Sequence, residues 1–277
     1  MHSLPALPRK TTEMTREDRP NASLERVRGV VVTGSGGISD ATARLLLHRG
    51  FRVHVISRRA GHTALLQNPP DGLTASIADL SDDGETERAF DEARVAMGEV
   101  DGLVAVAGGS ARSLGDGPID ELMTPSLHRN IDLNLATTMN SLREFIRQGA
   151  ATEEQEFRSA VLIGSALARH PASPLFVTHG YAAIKAGIEG LARSAAAHYA
   201  SQQITVNVVA PGLTRTPMAE RAQQNPVVAA YARSRQPLTD DGFIEPDDVA
   251  EACEWLMRAR TVTGQVIYID AGWSVYG

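Results

Sequence analysis

Short apolar, β-branched runs alternate with helix-patterned segments along almost all of this 277-residue chain. That alternation constrains the fold more than any other feature of the sequence. Residues 30–32, 51–56, 76–78, 103–107, 160–164, 204–209 and 265–269 read as strands. The run at 103–107 is apolar at every position, as expected of a strand covered on both faces. Helical patterns fall between them: from about residue 41 to a stop at Gly50, then over 84–97, 124–148, 181–200 and 247–258. Such repetition requires crossover connections, which lay helices on both faces of a mostly parallel sheet. The expected fold is α/β, a doubly wound parallel sheet forming a single domain over residues 29–277. No repeat, low-complexity tract or linker divides it. Residues 213–243 are a long, polar connection and are expected to act as a substrate lid. Residues 1–28, rich in Pro, Arg, Glu and Thr, are expected to be a flexible extension, with Met14 as an alternative start.

Charge and cysteine content remove several function classes. The net charge is −6 with no long run of Lys or Arg, which argues against nucleic acid or an anionic membrane as the main partner. No apolar stretch reaches the ~18–20 residues of a membrane helix. Cys253 is the only cysteine, so no intrachain disulfide forms and a cytoplasmic setting fits. No Cys/His cluster suggests zinc, and no metal is expected.

Ligands of doubly wound sheets bind outside the carboxyl ends of the strands, and the unusual residues of this chain follow its strands. Thr33, Gly34, Ser35, Gly36, Gly37, Ile38 and Ser39 join the first strand to the first helix. Glycines there let backbone approach a pyrophosphate, whose charge the helix N-terminus favours. The second strand ends in Ser57, Arg58 and Arg59 without an acid. An acid there suits a free ribose 2′-hydroxyl, whereas guanidinium suits a 2′-phosphate. NADP(H) is therefore favoured over NAD(H), with Arg58 the first candidate and Arg59 the second. Tyr181 and Lys185 are four apart at the start of a helix and share one face. A neighbouring ammonium would lower the phenol's pKa from ~10 and make it a general acid/base near neutral pH.

Four segments carry a wider resemblance. They are Tyr181 through Leu191, Ile204 through Met218, Glu245 through Ala250, and Thr263 through Gly272. With the glycine loop they resemble the short-chain dehydrogenase/reductase family from about Gly29 to Gly277. The resemblance implies a Rossmann-type fold and a hydride moved between a nicotinamide cofactor and a small-molecule carbonyl or alcohol. It implies that Tyr181 donates a proton to the carbonyl in reduction, or accepts the alcohol proton in oxidation. Lys185 would tune the tyrosine and hold the nicotinamide ribose, Ser165 would hydrogen-bond the substrate oxygen, and Asn134 would anchor a relay water. Gly34, Ser35, Gly37 and Ile38 would face the phosphates, and Asp79 with Leu80 the adenine. Ala107 and Gly108 would lie against the ribose, and Pro211, Gly212, Thr214 and Thr216 would hold the carboxamide. Relatives pair subunits through the helices expected at 124–148 and 181–200, which implies a homodimer or homotetramer.

The chain departs from the family pattern in three places. The glycine loop is one residue short, with Ser39 in place of a third glycine. Ala105, Val106, Ala107 and Gly108 replace Asn-Asn-Ala-Gly, which loses an asparagine that ties strands together. Ser165 and Tyr181 are about three residues further apart than usual, and the added segment, with His170, Pro171, Pro174 and His179, is expected to border substrate. Met218 and Tyr231 are candidates for an apolar pocket wall. Arg233 and Arg235 are candidates to meet an acidic substrate group. Three functions stay open: an NADPH-dependent ketoreductase of specialised biosynthesis, an NAD-dependent alcohol dehydrogenase, and a non-catalytic dinucleotide-binding protein.

Overall fold

A computed structural model describes residues 28–59, 63–149 and 156–276. Seven parallel strands form one sheet in the order β3-β2-β1-β4-β5-β6-β7. They are β1 (Gly29–Thr33), β2 (Arg52–Ser57), β3 (Leu73–Ile77), β4 (Val100–Ala105), β5 (Arg158–Ile163), β6 (Ile204–Pro211) and β7 (Val266–Ile269). The helices are α1 (Ile38–His48), α2 (Ala64–Gln67), α3 (Asp83–Met97), α4 (Thr124–Asn130), α5 (Thr137–Gly149), α6 (His179–Tyr199), α7 (Glu220–Gln224), α8 (Pro226–Arg235) and α9 (Pro246–Arg258). Strand order reverses direction between β1 and β4, so the loops after these two strands part and leave a crevice at their carboxyl ends.

The central strands are apolar because both faces are covered. Val30 and Val32 of β1 point into a cluster with Ala43 and Leu46 of α1 and with Val249, Cys253, Leu256 and Met257 of α9. Val31, one residue out of phase, points to the other face, among Phe90 of α3, Leu142 and Phe145 of α5 and Ile188 of α6. The period of two along the strand thus assigns successive valines to separate cores.

The expected doubly wound sheet is present, with local corrections. β4 begins at Val100, ahead of the apolar run, because the buried Asp101 carboxylate accepts the Gly29 N–H (3.1 Å) and extends the pairing with β1. The single helix expected over 124–148 is α4 and α5 joined by a π-helical stretch, Ile131–Ala136, that keeps right-handed helical backbone at both junctions. The wider turn lies under Asn134, and such turns concentrate at functional sites. The extension expected over 1–28 lies outside the described residues except for Arg28. That residue is docked on the core, donating to the carbonyls of Met257 (2.7 Å) and Asp101 (3.3 Å).

Candidate active site

The glycine loop accommodates its missing residue by backbone conformation. Gly36 and Gly37 both adopt positive φ (80° and 51°), a region costly for side-chain-bearing residues. A Cβ on Gly37 would lie 2.8 Å from the Thr216 side chain, so the loop can approach the segment after β6 only as glycine. Ser39 donates its hydroxyl to the Gly34 carbonyl (2.9 Å) and closes the loop on itself. Asp40 accepts the Gly36 N–H (2.9 Å). Gly37, at the N-cap of α1, provides no side-chain cap, and an uncapped helix N-terminus is the arrangement that binds phosphate.

A pocket of about 270 Å³ lies against this loop, between the ends of β2, β3 and β4. Gly34, Ser35, Ser57, Arg58, Arg59, Asp79, Leu80, Ala107 and Gly108 line it, all of them sequence-derived candidates. Ser81 hydrogen-bonds the Asp79 carboxylate through its hydroxyl (2.7 Å) and N–H (3.0 Å) and holds its pKa below the usual value, helped by Arg58 and Arg129. Arg129, from the last turn of α4, also lines the pocket and was not anticipated. Its signal was hidden because it reaches the pocket from an element distant in sequence. Arg58 and Arg59 are exposed, and among the described residues neither is in a direct ion pair with a carboxylate.

The pocket opens into a larger cavity of about 1080 Å³. Asn134, Ser165, Tyr181 and Lys185 all line it, as do Gly37, Ile38, Pro211, Gly212, Thr214 and Thr216. Ser165 follows β5 in extended backbone and its hydroxyl accepts the Leu167 N–H (3.3 Å). One turn of α6 separates Tyr181 from Lys185, whose Nζ lies 5.6 Å from the tyrosine ring centre and donates to the Ile163 carbonyl (2.8 Å). Burial lowers the Lys185 pKa to about 8. Burial raises that of Tyr181, and the Ser165 hydroxyl, hydrogen-bonded to the tyrosine oxygen, opposes the rise. This differs from the expectation that Lys185 lowers it. The ammonium sits at the ring and the Ile163 carbonyl, and Ser165 is the group that stabilises phenolate. Asn134 is fully buried, donates to the carbonyls of Gly109 (2.9 Å) and Asn130 (3.2 Å), and accepts the Gly109 N–H (3.2 Å). Its side chain therefore holds the loop after β4. The lost family asparagine has a substitute, since Thr33 Oγ1 accepts the Ala107 N–H (3.0 Å) and ties β1 to the end of β4.

Asp116 holds α6 from outside the helix. Its buried carboxylate accepts the N–H groups of Gly180 and Tyr181 (3.0 Å each) and the side-chain amide of Asn130 (3.0 Å). A Cβ on Gly180 would come within 3.1 Å of that carboxylate. Because Asn130 also accepts from Asn134, one hydrogen-bonded chain links Asn134 to the backbone of Tyr181. Sequence reasoning missed Asp116, because it caps the helix from 64 residues upstream rather than from the cap position.

The substrate-side expectations divide. Pro174 of the lengthened segment lines the cavity, together with Leu175 and Phe176. His170 instead packs edge-on against Tyr268 (5.2 Å) and accepts the Trp273 indole N–H at its carbonyl (3.2 Å). His179 begins α6, and neither it nor Pro171 is part of the lining. Met218 is a wall residue, whereas Tyr231 lies behind the wall, edge-on to Trp273 (5.8 Å). Arg235 donates to the Trp273 carbonyl (2.9 Å) and Arg233 lies off the lining, so neither meets the cavity. Among the described residues, the arginines that line the cavity are Arg112 and Arg221. Among the described residues, the acid cluster Glu99, Asp101 and Glu156 is close-set enough for a cation, but two of its members flank the start of β4, opposite the crevice.

Comparison with known proteins places this geometry. A family profile described as "Enoyl-(Acyl carrier protein) reductase" matches residues 32–274. Carbonyl reductase family member 4 of Danio rerio is 32% identical over 245 residues, covering 88% of this chain and 96% of that protein. A short-chain type dehydrogenase/reductase from Mycobacterium ulcerans superposes with a TM-score of 0.80 at 27% identity, over 90% of both chains. A variant of actinorhodin polyketide ketoreductase solved with NADPH gives 0.78 at 25% identity, over 90% of this chain and 98% of that one.

Proposed function

Because the chain belongs to the short-chain dehydrogenase/reductase family, an oxidoreductase family acting on carbonyl and alcohol groups, we propose that it reduces a ketone with NADPH. The observation that carries this reading is the convergence of Asn134, Ser165, Tyr181 and Lys185 on one cavity that runs into the glycine-loop pocket. The loop's positive-φ glycines and uncapped helix fit a pyrophosphate. When bound, the nicotinamide supplies or takes up the hydride and thus carries the redox chemistry. Ser165 and the Tyr181 hydroxyl donate hydrogen bonds where negative charge builds on the substrate oxygen, and Tyr181 then gives it the proton. Carbonyl, hydride and proton together make the alcohol. Lys185 keeps its ammonium beside the ring, from which it can reach a ribose hydroxyl. Asn134 holds the loop after β4 and with it the ribose side of the crevice.

The phosphorylated cofactor is supported by Arg58, Arg59 and Arg129 around the smaller pocket and by the absence of an acid at the end of β2. Residues 213–243 would act as the lid, through Met218 and α7. Pairing into a homodimer or homotetramer would use the α4–α5 and α6 faces, where Met139 is exposed. No helix among the described residues is long and apolar enough to cross a membrane. A cytoplasmic setting fits the fully buried Cys253, whose thiol pKa burial raises to about 12.

Tyr181→Phe tests the mechanism. It should retain NADPH affinity in a fluorescence titration and lose at least about 100-fold in turnover of a ketone panel, the scale of general acid catalysis. Equal turnover would remove the mechanism, and tighter binding of NADH than of NADPH would remove the cofactor assignment.

A further inference from the structure

The larger cavity has a one-sided charge. The chain holds 33 Asp and Glu residues against 27 Lys and Arg, yet among the described residues no carboxylate lines this cavity, and the charged residues that do are Arg112, Lys185 and Arg221. Lys185 belongs to the catalytic group, which leaves the two arginines unassigned. Arginines nearby are neutralised: Arg215 pairs with Asp241 and Glu245 (2.5 and 2.7 Å), and Arg169 with Glu189 (2.6 Å). Arg112 and Arg221 have no carboxylate partner among the described residues.

Arg112 occupies a telling place. It lies on the loop after β4, and one Nη donates to the Leu175 carbonyl on the loop after β5 (3.3 Å). That contact anchors the guanidinium at the substrate end, beside Pro174, Leu175 and Phe176, while the glycine loop serves the phosphates. The adjoining wall is aromatic, with Phe176 set edge-on to the buried Trp273 (5.7 Å). Arg221 enters from α7, near Met218. We propose that the substrate carries an anionic group, a carboxylate or a phosphate ester, remote from its carbonyl, and that Arg112, seconded by Arg221, binds it while Phe176 and Trp273 hold the apolar body between. Guanidinium suits both anions, through paired N–H···O bonds. The inference rests on the cavity being the reductase substrate site.

The test separates charge recognition from turnover. Cyclohexanecarboxylate and cyclohexanecarboxamide, of nearly equal shape, are titrated calorimetrically into the NADP⁺-saturated protein, and so are pantetheine 4′-phosphate and pantetheine. At least one anion should bind tenfold or more tighter than its neutral partner, and the pair that does so identifies the anion. Arg112→Gln should reduce the ratio to within about twofold, and Arg112→Lys, which keeps a positive charge but loses the paired geometry, should restore part of it. Equal binding within both pairs, or a preference that survives Arg112→Gln combined with Arg221→Gln, overturns the proposal. Turnover of 4-oxocyclohexanecarboxylate and its amide with NADPH is a separate arm. Turnover without charge preference defeats this inference and leaves the reductase reading standing. Charge preference with no turnover of any ketone defeats the reductase reading alone.

Discussion

Lys185 is 4% exposed and lies where burial works against its own charge, with the Ile163 carbonyl as its hydrogen-bond acceptor. The consequence for stability has a definite sign. Its folded pKa of about 8 is below the unfolded 10.5, so between those values the unfolded chain binds more protons and stability rises with pH. Below pH 8 both states are charged and the full cost applies, about 3 kcal/mol at 1.36 kcal/mol per unit. Lys185→Met should therefore be more stable than the parent at pH 7, and the gap should narrow as pH rises from 8 toward 10. Chemical denaturation of both proteins at several pH values measures it. A gap independent of pH would mean that the lysine is not buried as a cation. The same substitution should abolish turnover, the expected trade of stability for a charged site. At this scale the sequence was informative about type and position, since Tyr181, Lys185, Ser165 and Asn134 all line the cavity. Protonation was not legible, because it depends on burial and on which oxygen the ammonium meets.

At the scale of elements, α6, which carries Tyr181 and Lys185, begins with no side-chain cap of its own, and Asp116 supplies one from the loop after β4. Asp116→Ala would leave two first-turn N–H groups and the Asn130 amide without their acceptor. A lost cap costs about 1–2 kcal/mol, and unmade buried hydrogen bonds add to it. Because the cap holds Tyr181 by its own backbone, kcat should fall more than tenfold while KM and cofactor affinity change little. Steady-state kinetics with parallel denaturant curves separates that outcome from a general loss of folded protein. The helix itself was visible in its apolar spacing, and its boundary was right to within two residues. Its cap was not, for local cap rules consider neighbours in sequence, whereas this one spans the sheet's crevice. The π-helical turn under Asn134 was hidden for a related reason. Its residues continue an ordinary helical pattern, and only the packing of the two flanking segments shows where an extra residue must be absorbed.

Across the whole molecule, acid stability should be governed in part by a histidine far from the site. His54 of β2 is buried, its ring nitrogens within hydrogen-bond distance of the hydroxyls of Thr74 (2.8 Å) and Ser76 (2.7 Å) on β3. Burial lowers its pKa to about 4, with Glu92 opposing. The unfolded chain takes up that proton at about 6.5, so stability is present above pH 6.5 and lost as pH falls toward 4, by up to about 3 kcal/mol. His54→Asn should flatten the fall between pH 6.5 and 4, as read by urea midpoints, at some cost in stability at pH 7. An unchanged slope would show that other groups carry it.

The sequence by itself determined the α/β class, the parallel sheet, the glycine loop and four of the polar side chains that line the cavity. Each is written locally: apolar runs of strand length, glycines at a strand–helix junction, and a Tyr-to-Lys spacing of one helical turn. Tertiary structure alone decided which arginines meet the cavity, Arg112 and Arg221 rather than Arg233 and Arg235. It alone placed Asp116 against the start of α6 and set the charge balance of the pocket. Those properties depend on distances between residues far apart in the chain, and only the closed sheet with its two covered faces brings them together.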